Sequence, residues 1–202
     1  MRRIPIVSTI IVAVAVAIMI ALGLWQLLDR LPAKESQLRQ LAANPALPPI
    51  AFPATPDDRL LFRRSTVRCP RPTAMRIIGA GARGFRAIVE CRTAGAAQGI
   101  LVQLGTTRNA AARVSWSGGV ATGYLTHAPD SRPLIAGLWD RTPKRLMLVA
   151  QPALAGLGPN TAPDPATVPN SHLAYAGQWF FFASIAAIIY ALALRRRRPQ
   201  LG

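Results

Sequence analysis

The chain has 202 residues, of which 51% are hydrophobic and only 16% charged, and it carries a formal net charge of +16. That length allows one modest domain once membrane segments are set aside, and the low share of charge argues against an ordinary soluble protein. The apolar residues are not spread evenly but gather in two runs, one near each end.

The first run, Ile4 to Leu28, has no charged side chain, and only Ser8, Thr9 and Gln26 in it are distinctly polar. As a helix rising about 1.5 Å per residue it spans ~37 Å, enough for a hydrocarbon core of about 30 Å. Arg2 and Arg3 resemble the charged start of a signal peptide, but the apolar part of such a peptide is typically ~7–15 residues. Residues 1–30 are therefore expected to form an uncleaved anchor. Only Met1 to Arg3 precede the span, leaving no organellar transit peptide, which points to a bacterial inner membrane.

Pro32 is expected to interrupt the chain, and residues 31–45 to form a short helix. Its apolar positions Leu38, Leu41 and Ala42 fall at i, i+3 and i+4, and Asn44 and Pro45 stop it. A Pro-rich stretch to Pro56 leads into a domain over residues 46–155. There Phe85 to Cys91, Gly99 to Leu104, Arg113 to Trp116, Val120 to Leu125 and Arg145 to Gln151 are β-compatible runs bounded by Gly, Pro and Asn. Ser117, Gly118 and Gly119 suggest a tight hairpin. The runs are too closely spaced for helical crossovers, so a small antiparallel sheet or barrel is expected, with room for one core. Residues 156–170 read as a Pro-rich linker.

The second span covers residues 171–194. Leu173 to Leu194 is free of charge and reaches ~33 Å as a helix. Residues 195–202 form a basic tail. Arg2, Arg3 and Arg195 to Arg198 flank the two spans, and positive residues near span ends stay in the cytoplasm. Both ends are then cytoplasmic and residues 31–170 periplasmic. The fold class expected is a multi-pass membrane protein, with two transmembrane helices flanking a small antiparallel β-rich domain.

Of the 24 basic residues, 18 lie between Arg30 and Arg145, against eight acidic ones, so the central region carries about +10. In a cytosolic protein this would suggest nucleic acid. In the periplasm it suits anionic lipid headgroups, an acidic protein face or haem propionates, or is simply a solvated basic surface.

Cys69 and Cys91 make an even count, which in an oxidising compartment reads as a disulfide. A copper or redox site is the sharper alternative, although no C-x-x-C spacing is present. His127 sits in Thr126-His127-Ala128-Pro129-Asp130, a surface turn, with no G-x-S-x-G nucleophile motif beside it. Gly79-Ala80-Gly81-Ala82-Arg83-Gly84 matches G-x-G-x-x-G only as a string, since it lacks the strand-to-helix setting that a phosphate loop requires. An enzyme is disfavoured, because these residues assemble neither an acid–base pair nor an activated nucleophile.

His172 differs from the rest. It opens the second span after Pro169-Asn170-Ser171, where Asn or Ser can cap free N–H groups. His172, Tyr175 and Trp179 fall at i, i+3 and i+7 and share a face, with Gln178 beside it. Trp25 and Gln26 lie at comparable depth on the first span. An interfacial aromatic belt accounts for the tryptophans. It does not account for a histidine and two glutamines, which are costly near lipid unless they face protein or a ligand. A helix N-terminus disfavours positive charge on the ring, leaving a neutral nitrogen for a metal. Haem iron commonly takes such a ligand.

The same positions carry a resemblance. Leu22-Gly23-Leu24-Trp25-Gln26-Leu27 with Asp29-Arg30 resembles the first-span signature of the surfeit-locus family of cytochrome c oxidase assembly factors. Pro169-Asn170-Ser171-His172-Leu173-Ala174-Tyr175-Ala176 with Gln178-Trp179-Phe180 resembles its second-span signature. Asn170-Ser171 stands where the family has paired asparagines, and Leu104-Gly105-Thr106-Thr107-Arg108 where a Gly-Trp segment is expected. The resemblance implies a non-enzymatic role in maturing an aa3-type oxidase, aiding placement of haem A into the catalytic subunit. His172 would be the haem-iron ligand, with Trp25, Gln26, Tyr175 and Trp179 as neighbours. The partners implied are the oxidase catalytic subunit and haem A synthase. A structural accessory subunit of a respiratory complex, binding no haem, is the alternative.

Overall fold

The computed structural model describes residues 5–92, 99–130, 132–133, 139–140 and 142–196. The chain divides into two compact units, Met1–Leu38 with Val168–Gly202, and Arg39–Thr167.

In the first unit α1 (Ile6–Trp25) runs into a π-helical turn, Gln26–Arg30, and then without a break into α2 (Leu31–Ala43). Pro32 does not end the helix. It has no N–H to offer, and its ring would collide with the carbonyl four residues back in a regular α-helix. The wider turn just before it, where the Leu31 N–H donates to the Gln26 carbonyl five residues back, supplies the extra residue that accommodates it. The partner helix, α3 (His172–Arg196), closes on Arg195 and Arg196 in its last turn, where positive charge complements the helix dipole. Both segments are long and apolar enough to cross a membrane.

α1 and α3 pack antiparallel: Gln26 meets His172 at one end, and the Thr9 hydroxyl meets the Tyr190 hydroxyl at 2.6 Å at the other. One shielded stripe runs along α1 into the π turn through Thr9, Val12, Val16, Met19, Gly23 and Gln26, with Leu22 also partly shielded beside it. The matching stripe on α3 is His172, Ala176, Trp179, Ala183, Ala186 and Tyr190, with Phe180 and Leu194 also partly shielded. Steps of four and three alternate in both, the 3.5-residue period of a coiled-coil seam. Away from the seam Ile10, Ile11, Val14 and Ile18 on α1, and Phe181, Ile188 and Ile189 on α3, are exposed. A helix pair that is apolar all round suits lipid, not water.

The second unit is a seven-stranded sheet of β1 (Ile50–Ala51), β2 (Arg64–Cys69), β3 (Pro72–Gly79), β4 (Phe85–Cys91), β5 (Ile100–Thr107), β6 (Gly119–His127) and β7 (Leu146–Ala150). Their order is β1-β2-β6-β7-β5-β4-β3. Two apolar helices thus flank a β-rich domain, as the sequence predicts, but the sheet is mixed rather than wholly antiparallel. β1 runs parallel to β2, and β5 to β7. The chain reverses from β5 to β6 and again from β6 to β7, which leaves β7 running with β5, and β7 then inserts between them. Flanked on both sides, Leu146–Ala150 is buried throughout, hence its unbroken apolar run.

The sheet closes on itself. β2 and β3 stand near opposite margins of the strand order, yet only Pro70 and Arg71 separate them. In a flat sheet β2 and β4, four strand steps apart, would lie ~19 Å from one another. The Cα atoms of Cys69 on β2 and Cys91 on β4 are 5.2 Å apart, and their sulfurs are bonded. The rolled interior is filled by Val67, Val89, Val102, Leu104, Leu125 and Leu148 around that disulfide. A second cluster, Ile88, Leu101, Met147 and Val149, is buried on the outer face.

Three runs depart from the expected strands. Arg113 to Trp116 is extended but joins no ladder; Val114 and Trp116 instead lay their side chains against the core. Gly118 and Gly119 take φ values of +98° and +129°, conformations that favour glycine, but the expected hairpin does not form there, Gly119 being the first residue of β6. The linker expected over 156–170 is docked in its first part. Gly158 bridges Thr106, and the Asn160 amide donates to the Gln103 and Ala150 carbonyls. Asn44, expected as a helix stop, is also a buried clamp whose amide donates to the Arg59 and Leu61 carbonyls at 2.7 and 2.8 Å.

The disulfide crosses the closure seam, so its loss acts on the whole domain. Replacing both Cys69 and Cys91 with alanine should lower stability by about 3 kcal/mol on the chain-entropy estimate for a loop of this size. Equilibrium chemical unfolding of the full chain in detergent measures it, and an unchanged midpoint would contradict the seam's importance.

Candidate functional site

Two local features of the first unit deliver the candidate residues. Helix α3 begins at His172, its first turn set by the Tyr175 N–H donating to the Ser171 carbonyl. His172 therefore has no preceding helical turn to cover its ring. On the other helix Gln26 opens the π turn. The two meet directly, His172 Nδ1 lying 2.8 Å from Gln26 Oε1. Both are half-buried in the seam.

The close approach behind this bond comes from Gly23, one turn before Gln26. A Cβ on Gly23 would stand 2.7 Å from the Phe180 ring, so a larger residue there requires the ring, or the helix that carries it, to move. Ala176 and Ala183 are buried opposite, small side chains being the usual means by which membrane helices come close.

The other predicted residues take different stations. Trp179 is half-buried on the seam and meets Phe182 edge to face, with centroids 6.5 Å apart. Trp25 and Tyr175 are 47% and 50% exposed, turned away from the seam. Gln178 is exposed. The Arg30 guanidinium lies 5.4 Å from the Trp25 ring centroid, a cation–π contact that the sequence reading passed over. The signal for it was present, since five residues separate the two and a π turn repeats at about that spacing.

Elsewhere the chemistry-bearing residues are engaged structurally. His127 ends β6, with its Nε2 2.8 Å from Asp58 Oδ1. Gly79 to Gly84 is the turn between β3 and β4, not a phosphate loop. Arg132 bridges Asp130 and Asp140, and hydrogen bonds from Thr142 and then Arg132 hold the Asp140 carboxyl at about 2. Among the described residues no three His, Cys, Asp or Glu side chains gather into a metal cluster.

The sequence matches the SURF1 family over residues 13–184, a stretch that includes both Gln26 and His172. The chain belongs to the SURF1 family. This family is known for cytochrome oxidase assembly, and its members are assembly factors rather than enzymes. No curated protein and no solved structure gives a significant match to the chain.

The closeness of the helices at Gly23 can be measured against a matched control. Gly23→Leu should part the pair beneath His172, costing about 1–3 kcal/mol by overpacking. Gly177→Leu should cost little, since nothing lies within 4 Å of a Cβ there. Thermal unfolding of the two full-length variants in detergent compares them, and equal losses would contradict a specific approach at Gly23.

Proposed function

We propose that this SURF1 family member is an inner-membrane assembly factor for an aa3-type cytochrome c oxidase. In this reading it holds haem A at His172 on the way to the oxidase catalytic subunit, with haem A synthase as the source. Haem A is cargo here, and the residues fit it. An imidazole is a common ligand of haem iron. His172 is half-exposed at a helix start, and Trp25 and Tyr175 offer half-exposed rings beside it. The observation that carries the reading is the pairing of His172 with Gln26, which binds the two family signatures into one site.

The chain's own contribution is positional. The seam fixes where the ring stands, and the aromatic neighbours provide apolar, flat surface for a bilayer-soluble macrocycle. A single histidine ligand would suit reversible transfer, since one ligand is more readily exchanged than two.

The flanking arginines support cytoplasmic ends, with residues 31–170 in the periplasm. A reporter active only in the periplasm, fused after Gly202, should stay silent. An active fusion would overturn that orientation.

His172→Asn keeps a polar helix start and removes the ligand. In cells making haem A it should leave chain abundance unchanged. Haem co-purifying with the chain should fall by more than the factor of about 10 typical of losing an outer-shell partner, and haem in the oxidase catalytic subunit should fall with it. Absorption spectra of the purified proteins measure this. A wild-type chain free of haem despite abundant haem A would overturn the reading in favour of an accessory subunit that binds none.

A further inference from the structure

We infer that Gln26 is a positioning residue rather than part of the wall of the site: it holds His172 in the tautomer with the proton on Nδ1, leaving Nε2 bare and available to iron. The inference deepens the proposed function by assigning the ligating atom and the group that selects it.

The geometry carries it. Gln26 presents its side-chain oxygen, Oε1, to His172 Nδ1 at 2.8 Å. An amide oxygen only accepts, so the nitrogen facing it must donate, and in a neutral imidazole the other nitrogen is then unprotonated. The Gln26 backbone is tied on both sides. Its N–H donates back toward Leu22 and Gly23, and its carbonyl accepts from Leu31 across the π turn. With Phe180 against Gly23 one turn below, the side chain has a short, fixed path to the ring. An acceptor on the far nitrogen is the standard means of orienting a ligating histidine and raising its basicity.

The chain has only two histidines, and the second is an internal control. His127 turns Nε2, not Nδ1, toward Asp58 Oδ1. The two rings should therefore carry opposite tautomers.

The test reads the tautomer directly and needs no haem. Full-length protein labelled with 15N-histidine is studied in detergent at alkaline pH, and long-range nitrogen–proton correlation distinguishes Nδ1–H from Nε2–H. His127→Asn assigns the remaining signal. His172 should show Nδ1–H in the wild type and in Gln26→Glu, which retains an acceptor, and should shift toward Nε2–H in Gln26→Leu. Haem A titrated into the same samples should bind about 10-fold or more weakly to Gln26→Leu, with Gln26→Glu retaining affinity. A wild-type Nε2–H signal, or a tautomer unmoved by Gln26→Leu, overturns the inference. Should Gln26→Leu fail to fold, the wild type and Gln26→Glu decide it. Nδ1–H in a chain that takes no haem upholds the tautomer assignment and overturns the haem reading, so the two failures are distinguishable.

Discussion

In hydrocarbon, apolar side chains gain nothing by leaving lipid for one another, so a membrane helix pair depends on close approach and on the polar bonds that closeness permits. Here the constraint is the missing side chain of Gly23. It leaves room for the Phe180 ring against α1, one turn from where Gln26 meets His172. A second polar bond, Thr9 to Tyr190, closes the other end. The helical stretch between the two bonds is about 26 Å on each partner. A slide of one turn, about 5.4 Å, would break both at once, so the pair has one register. The site is a product of that register.

The second unit solves a different problem. A seven-stranded sheet has two margins, and exposed margins invite pairing with other chains. Here the two-residue connection from β2 to β3 draws opposite margins together, and the Cys69–Cys91 bond fastens them. The rolled form gives one interior to which every strand contributes, with Ile50 of β1 and Met75 of β3 packed against it from the margins. On β2 the outward positions Arg64, Thr66 and Arg68 alternate with the buried Ser65, Val67 and Cys69.

Those alternating residues also show what was legible in the sequence. The two spans and β4 were visible because each is a long run of one pattern: charge-free stretches for the helices, Phe85 to Cys91 for the strand; the π turn before Pro32 was read only as a break. β2 and β3 were not. Their inward positions include Ser65 and Cys69, and β3 begins with a proline and carries Arg76, so neither shows an apolar alternation. The parallel pairing of β5 with β7 is set by where β7 inserts, which no local pattern records. Asn44 reads as a helix stop and Asn160 as part of a linker, and their clamping of carbonyls depends on partners 10 to 57 residues away. At the site, helical periodicity placed His172 and Trp179 on one face, and both lie on the seam. Tyr175, three residues on from His172, turns outward, because a seam with a 3.5-residue period takes Ala176 in its place.

The π turn explains why the site stands where it does. An extra residue in a turn shifts the phase of everything that follows, so the alternate three-and-four spacing of α1 stops at Gln26. On the partner helix the spacing starts at His172, the first residue of α3. One helix thus loses its phase in the layer where the other begins. The imidazole is held from below by the seam and from the side by Gln26, and neither helix supplies another seam turn to cover it. Pro32 is what requires the wider turn, so a residue outside the site determines that the histidine is held firmly on one nitrogen and left half-open.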